Sequence, residues 1–92
     1  MSFRIDLRTR GEVAACPNKS NLVLETPKPP MTPRQIKALA ERVLKLASKL
    51  PKDETIEVFC AKGKRSGVAA AVLRQAGYNV VDRGAAKCNG KR

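Results

Sequence analysis

The sequence contains no histidine, and this absence excludes several kinds of site. Without imidazole the chain has no Cys/His or Ser/His dyad, and it lacks both the usual general base and the commonest zinc ligand. Aromatic residues are also scarce, because Phe3, Phe59 and Tyr78 are the whole set. Bases of a nucleic acid would therefore find few surfaces on which to stack. Any chemistry must run without imidazole, and we expect neither a metal nor a cofactor.

Long apolar runs are absent as well. No stretch approaches the roughly 20 apolar residues that are needed to cross a bilayer. The amino-terminal residues 1–4 do not begin the apolar core of a signal peptide. Cys16, Cys60 and Cys88 are an odd number of cysteines, which argues against a disulfide framework. These features predict a cytoplasmic protein with reduced thiols and no contact with a membrane.

Acidic residues are few relative to basic ones. Eight Asp and Glu face 19 Lys and Arg, which gives a formal net charge of +11. Such a charge favours anionic partners, namely nucleic acid, an acidic protein or small oxyanions. A content of 42% apolar and 29% charged residues is ordinary for a folded chain of this length. We predict one domain over residues 1–86 and a flexible basic tail over residues 87–92.

Short strands and longer helices are predicted to alternate along the chain. Apolar residues bounded by turn residues predict strands over 3–7, 21–25, 55–60 and 78–82. The first strand is followed by a brief helical turn. Thr32 as N-cap, followed by Pro33 and Gln35, predicts a helix that ends before Pro51. Its inner face is predicted to hold Ile36, Leu39, Ala40, Val43, Leu44, Ala47 and Leu50.

A second helix is predicted from Arg65 or Ser66 to Ala76, with Gly77 as its stop signal. Strands that alternate with helices predict a small α/β domain. We expect a mainly parallel sheet of four or five short strands with helices on both faces. Ligands of such sheets bind at the carboxyl ends of the strands. The third predicted strand ends at Cys60, which places this cysteine at the edge where a site is expected.

The residues around Cys60 favour a thiolate. A cysteine between a strand end and the start of a helix lies over backbone N–H groups that carry partial positive charge. Lys62, Lys64 and Arg65 add formal positive charge, and Gly63 allows the backbone to curl into an anion-binding nest. A thiolate of this kind attacks without a general base. The sequence therefore predicts a nucleophilic Cys60.

Two segments resemble the rhodanese-like sulfurtransferases. The first has the pattern Cys-x-x-Gly-x-Arg-Ser and consists of Cys60, Ala61, Lys62, Gly63, Lys64, Arg65 and Ser66. The second, residues 5–12, is similar to the family's opening strand with its Asp-x-Arg segment. The resemblance implies the rhodanese α/β fold and a persulfide sulfur on Cys60. It also implies an anion cradle formed by residues 61–65, with Arg65 and Ser66 organising the loop.

The chain also departs from the family pattern. It lacks the Gly-His-Ile segment that commonly follows the opening strand, and Gly84-Ala85 stands in place of Gly-Gly. A short, divergent member is implied. Asp6 and Arg8 are candidates for a supporting role, although the simpler interpretation of Asp6 is a strand-end acid that binds loop N–H groups or pairs with Arg8 or Arg10.

Several functions are compatible with these residues. The resemblance implies thiosulfate or a persulfide as sulfur donor, and a thiol, cyanide or a sulfur-carrier protein as acceptor. An alternative is a non-catalytic basic module that binds nucleic acid or an acidic protein. A cysteine phosphatase or arsenate reductase fits less well, since those families resemble Cys-x5-Arg and only four residues separate Cys60 from Arg65. No nearby aspartate is evident that would protonate a leaving group.

Overall fold

The computed structural model of the protein describes residues 2–28 and 30–85. Within these ranges the strands form one parallel sheet with the order β2-β1-β3-β4. The predicted α/β architecture is confirmed, whereas the predicted tail and Cys88 lie outside the described residues. In chain order the elements are β1 (Ser2–Asp6), α1 (Arg10–Ala15), β2 (Leu22–Val23), α2 (Pro33–Ala47), β3 (Thr55–Cys60), α3 (Lys64–Gln75) and β4 (Val80–Ala85).

The two central strands bring the ends of three strands to one edge. Ile5 lies opposite Val58 in the register of β1 and β3. Beyond the strands the pairing continues, because the backbone N–H of Leu7 donates to the carbonyl of Phe59 at 2.9 Å. The N–H of Leu24 likewise donates to the carbonyl of Asp6 at 2.8 Å. The segments that follow β1, β2 and β3 therefore start at the same edge of the sheet.

Helix α2 begins with the predicted capping box. The N–H of Gln35 donates to Thr32 Oγ1 at 3.1 Å, and the side chain of Gln35 accepts from the N–H of Thr32 at 2.9 Å. The helix packs against α3 and buries only the stripe Leu39, Val43 and Ala47. The prediction that Ile36 and Leu44 also face the core is wrong, since they are 41% and 58% exposed. Packing against one neighbouring helix covers only a narrow stripe.

Strand β4 lies later in the chain than predicted. Arg83 and Gly84 belong to it, although Gly84 favours a break by its residue type. A register shift between Val58 and Phe59 accommodates this part of the strand and allows Gly84 to pair with Phe59. Tyr78 precedes the strand, is buried, and donates its hydroxyl to the carbonyls of Ala47 and Leu50, the latter at 3.0 Å.

Phe59 is covered by charged side chains. It is 1% exposed, and the guanidinium carbons of Arg4 and Arg8 lie 4.7 and 5.7 Å from the centre of its ring. Cation–π contact stabilises such an arrangement. Glu57 accompanies it through ion pairs with Arg4 and Arg83. None of the helices in the described ranges is both long and apolar enough to cross a bilayer.

Candidate functional site

Cys60 is the last residue of β3 and is fully buried. Ala61, Lys62 and Gly63 form the connection to α3, which starts at Lys64. Lys64, Arg65 and Ser66 were expected in the loop or at the first positions of the helix, and they form the first turn of α3. Gly63 is the N-cap of this helix and has a φ of 97°, a backbone conformation that favours glycine. The short connection therefore aims the start of α3 at the sulfur.

The sulfur of Cys60 accepts hydrogen bonds from two backbone N–H groups. Gly63 N lies 3.0 Å and Ser66 N 3.4 Å from Sγ. The hydroxyl oxygen of Ser66 lies 3.7 Å from the sulfur, and this hydroxyl donates to the carbonyl of Gly63 at 3.0 Å. Both N–H groups belong to the unpaired start of α3, where the helix dipole favours an anion. The arrangement is a cradle for a thiolate.

Two opposing effects act on the pKa of Cys60. Burial is the largest single effect and raises the pKa, because the charged form loses water. The N–H groups of Ser66, Lys62 and Gly63, together with the hydrogen bond between Sγ and the Ser66 hydroxyl group, lower the pKa and outweigh burial. The pKa of the Cys60 thiol is therefore lowered from its ordinary value, which favours a nucleophilic cysteine.

Gly63→Ala is expected to lower both stability and the reactivity of Cys60. An added Cβ would meet the backbone of Gly84, with its Cα at 3.7 Å and its carbonyl carbon at 3.9 Å, which are ordinary contacts. The cost therefore comes from the positive φ and amounts to about 1–2 kcal/mol. Gly77→Ala is the matched control, because Gly77 has a φ of 96° at the other end of α3. Both variants should melt earlier, but only Gly63→Ala should slow alkylation of Cys60 by iodoacetamide. Equal alkylation rates in the two variants would contradict a role for the Gly63 N–H.

Arg65 is buried and holds three segments together. Its Nη1 donates to Glu12 Oε1 at 2.8 Å and to the carbonyl of Thr26 at 3.1 Å, and its Nη2 donates to Glu12 Oε2 at 3.1 Å. Arg65 is 1% exposed. A two-pronged pair of this type fixes the orientation of both side chains. The first turn of α3 is thereby tied to α1 and to the segment after β2.

Glu12 is a site residue that the sequence analysis did not single out. It also closes a capping box in which its Oε1 accepts from Thr9 N at 2.8 Å, and its own N–H donates to Thr9 Oγ1 at 3.1 Å. The spacing Thr-x-x-Glu predicts this cap from the sequence. No sequence signal predicts the pairing with Arg65, which lies 53 residues away.

Glu12 should make the protein sensitive to acid. The hydrogen bond from Arg65 is the main cause that lowers the pKa of Glu12 from 4.5 to about 2. The stabilisation is present above pH 4.5 and is lost as the pH falls toward 2, because the unfolded chain then binds the proton more readily. We expect a loss of roughly 1–2 kcal/mol, since water reaches part of this carboxylate. Urea unfolding at several pH values measures it.

The comparison for this acid effect is Glu12→Gln. Above pH 4.5 the variant should be less stable than the original protein, and the gap should close as the pH approaches 2. The exposed Glu25, whose carboxylate lies 3.9 Å from Arg10, supplies the control Glu25→Gln. A gap that persists unchanged at the lowest pH would show that the charge of Glu12 is not the cause.

A pocket of about 410 Å³ opens beside the loop. Lys62 and Lys64 are exposed, while Cys60 itself does not line the pocket. The side chains of the pocket thus include the cations of Lys62 and Lys64 and the carboxylate of Glu12. Arg65 already neutralises the charge of that carboxylate. No cluster of three or more metal-ligating side chains occurs within residues 2–28 and 30–85. The pocket is lined by Glu12, Lys28, Pro30, Ala61, Lys62, Lys64 and Arg65.

Asp6 and Arg8, the candidate supporting residues, bind one another. Arg8 Nη2 lies 2.8 Å from Asp6 Oδ2, and the backbone N–H of Arg8 donates to Asp6 Oδ1 at 3.0 Å. The two residues are 0% and 2% exposed, and Arg8 Nη1 also donates to the carbonyl of Cys16 at 2.6 Å. Neither lines the pocket. The pair braces the segment that follows β1.

The cysteines differ in state. Cys16 is disulfide-bonded, so the expectation that all three cysteines are reduced thiols is wrong. Burial and spacing along the chain do not reveal such a bond, because it depends on the three-dimensional fold. Cys60 has a free thiol. The sulfur in the cradle is therefore available for chemistry.

Comparisons with known proteins concern the family and the fold of the chain. A search of curated protein sequences found no significant match. Among solved structures, a rhodanese-related protein from Thermoplasma volcanium has 26% sequence identity and a TM-score of 0.61, covering 88% of this chain and 67% of that one. A rhodanese with anions from E. coli has 23% identity and a TM-score of 0.60, covering 92% of this chain and 87% of that one, and this likeness concerns the fold. The family profile of the rhodanese-like domain matches residues 3–84. Because that match spans most of the chain, this protein belongs to the rhodanese-like domain family.

Proposed function

We propose that the protein is a sulfurtransferase that carries a sulfane sulfur as a persulfide on Cys60. The observation that carries this proposal is the free Cys60 thiol whose sulfur accepts the N–H groups of Gly63 and Ser66. Backbone N–H groups that stabilise a thiolate also stabilise the anionic outer sulfur of a persulfide. Membership of the rhodanese-like family supports the same chemistry.

The proposed reaction has two steps. With thiosulfate as donor, the Cys60 thiolate attacks the outer sulfur and a new S–S bond forms at Sγ. The S–S bond of thiosulfate breaks, and sulfite leaves with its electron pair, so that the negative charge moves to the outer sulfur on Cys60. In the second step a thiophilic acceptor such as cyanide attacks that outer sulfur. Thiocyanate leaves and the Cys60 thiolate is restored.

Access to the sulfur requires movement of the loop. Cys60 is 0% exposed and its sulfur lies at the base of the residues that link β3 to α3. The loop residues Ala61, Lys62 and Gly63 must shift for the donor sulfur to approach Sγ. The exposed lysines at the pocket attract an anionic donor to this point. A persulfide donor or a sulfur-carrier protein would approach by the same route.

Loop size favours sulfur over phosphate. Four residues separate Cys60 from Arg65, one fewer than in the Cys-x5-Arg pattern of the phosphatases and arsenate reductases. Both terminal nitrogens of Arg65 are engaged by Glu12 and Thr26, so the guanidinium does not form a fork for a tetrahedral oxyanion. The one acidic residue that lines the pocket, Glu12, has a pKa lowered to about 2 and therefore holds no proton for a leaving group near neutral pH. These features together argue for transfer of a single sulfur atom.

Intact-mass measurement tests the proposal. The reduced protein is incubated with thiosulfate and, in parallel, with a low-molecular-weight persulfide, and its mass is recorded before and after addition of cyanide. We expect a gain of one sulfur atom that peptide mapping assigns to Cys60, and its discharge as thiocyanate. A protein that gains no sulfur from either donor would overturn the proposal. The proposal includes a cytoplasmic location, whose reducing conditions would keep Cys60 as a thiol and would also reduce the disulfide of Cys16.

A second candidate function is binding of nucleic acid or an acidic protein through the basic surface. Every ion pair found in residues 2–28 and 30–85 uses an arginine, and none uses a lysine. The exposed lysines thus contribute most of the uncompensated positive charge. Binding of this kind should weaken steeply with salt and should persist in Cys60→Ser. Binding and sulfur transfer are compatible, for example where the acceptor is itself an anionic macromolecule.

A further inference from the structure

The donors of Arg65 are divided between two tasks. The two terminal nitrogens, Nη1 and Nη2, are occupied by the carboxylate of Glu12 and the carbonyl of Thr26. Among the N–H groups that these three hydrogen bonds leave over, the Nε–H is buried and has no hydrogen-bond partner in the described residues. An unpaired buried donor on a charged group costs free energy unless something binds it. The position of Arg65 in the first turn of α3 indicates which group that partner is.

Arg65 is the sequence neighbour of a residue that contacts the sulfur of Cys60. It directly precedes Ser66, whose N–H is 3.4 Å from Sγ and whose hydroxyl oxygen is 3.7 Å from it. Burial lowers the pKa of the Arg65 guanidinium, but Glu12 and, to a smaller extent, the Cys60 thiolate raise it, and the net shift is upward. A negative charge on Cys60 therefore stabilises the protonated guanidinium of Arg65. Its unpaired Nε–H is the donor that can serve an anion there.

We propose that Glu12 is a positioning residue of the sulfur-transfer site. Its carboxylate binds both terminal nitrogens of Arg65 and thereby orients the Nε–H toward the sulfur anion on Cys60. This inference rests on the proposed function and adds a side-chain donor to the two backbone donors. The Nε–H binds the thiolate and, after sulfur transfer, the outer sulfur of the persulfide. In this proposal Glu12 contacts neither the sulfur of Cys60 nor the molecule that donates sulfur.

The other charged groups around Cys60 do not replace this arrangement. Lys62 and Lys64 are exposed on the loop and the first turn of α3. On β4, Asp82 accepts a hydrogen bond from the N–H of Gly84 at 2.8 Å. Glu12 on α1 is ionised from about pH 3 upward because its pKa is about 2. Any titration of Cys60 above about pH 4 is therefore not mixed with titration of Glu12.

The variant Glu12→Gln tests the positioning role. The amide oxygen of glutamine can replace Oε1 and keep the cap on Thr9, but the amide nitrogen then faces Arg65 Nη2, donor against donor. Arg65 should lose the hydrogen bond of Nη2 and keep only those of Nη1, so its orientation is less firmly fixed while α1 stays capped. We expect the midpoint of the pH profile for alkylation of Cys60 to move to higher pH. Well below that midpoint, alkylation should be about three- to tenfold slower.

Two further variants separate positioning from structural support. Glu25→Gln removes an exposed carboxylate in the same region, beside Arg10, and should leave the profile unchanged. Arg65→Lys keeps a positive charge that can pair with Glu12 but has no Nε–H, and it should shift the profile in the same direction as Glu12→Gln. Thermal melts confirm that each variant is folded. A folded Glu12→Gln or Arg65→Lys with an unchanged profile would overturn the inference.

The unaltered protein supplies an independent readout by NMR. The ¹H–¹⁵N signal of Arg65 Nε should shift with the ionisation of Cys60, at the same pH midpoint as alkylation, and again when thiosulfate is added. The pH-dependent shift should vanish in Cys60→Ser. An Arg65 Nε signal that does not change with the ionisation of Cys60 would refute the proposed contact. Because alkylation and the pH-dependent shift need no sulfur donor, they can succeed even where persulfide formation fails, and the two proposals are thus tested separately.

Discussion

Cys60→Ser is expected to reduce thiocyanate formation from thiosulfate and cyanide by more than about a thousandfold. A serine hydroxyl is not ionised near neutral pH and forms no stable bond to a sulfane sulfur, so the first step has no nucleophile. Serine is slightly smaller than cysteine and can accept the same N–H groups of Gly63 and Ser66. The fold should therefore survive. A steady-state thiocyanate assay measures the change.

The same variant distinguishes the two candidate functions. If the basic surface also binds an anionic macromolecule, that binding and its salt dependence should be the same in Cys60→Ser as in the original protein. A variant that still produces thiocyanate at more than a few percent of the original rate would show that another group carries the sulfur. A variant that loses binding as well would show that the cradle and the binding surface are one structure.

The order of strands and helices was readable from the sequence because local signals agreed with the tertiary contacts. Turn residues and apolar runs predicted β3 and its end at Cys60, and the Thr32 capping box predicted the start of α2. The predictions were wrong where tertiary packing, and not the local sequence, determines which residues are buried or paired in a strand. Ile36 and Leu44 continue the apolar period of α2, but both are exposed because packing covers only a narrower stripe of this helix. A register shift beside Val58 brought Gly84 into β4 despite its residue type.

The candidate site was readable only in its contiguous part. The sequence predicts a thiolate at Cys60 because the strand, the short loop and the helix start are consecutive, and the structure has that geometry. Glu12 and Thr26 were missed because their contacts with Arg65 span 53 and 39 residues of chain. The disulfide at Cys16 was missed as well, because an odd number of cysteines argued against a disulfide framework. Long-range pairing leaves no local signal in one sequence.

Asp6→Asn is expected to lower the free energy of unfolding by about 3 kcal/mol. Asparagine keeps the acceptor oxygen for the backbone N–H of Arg8 but places an amide nitrogen against Arg8 Nη2, which lies 2.8 Å from the carboxylate now. Arg8 is 2% exposed, so its charge would be left buried beside a neutral group. Urea unfolding at neutral pH measures the loss, and reversibility of the transition is checked on refolding.

The loss of stability expected for Asp6→Asn can be compared with the loss at an exposed ion pair. Arg10 and Glu25 lie 3.9 Å apart with side chains 91% and 53% exposed, so Glu25→Gln should cost less than about 0.5 kcal/mol. Alkylation of Cys60 in folded Asp6→Asn should match the original protein, because Asp6 lies outside the pocket. A slower reaction would instead give the Asp6 pair a part in the site. A small stability change would mean that water reaches Arg8 once its partner is neutral, since an unpaired charge is tolerated only where it can be hydrated.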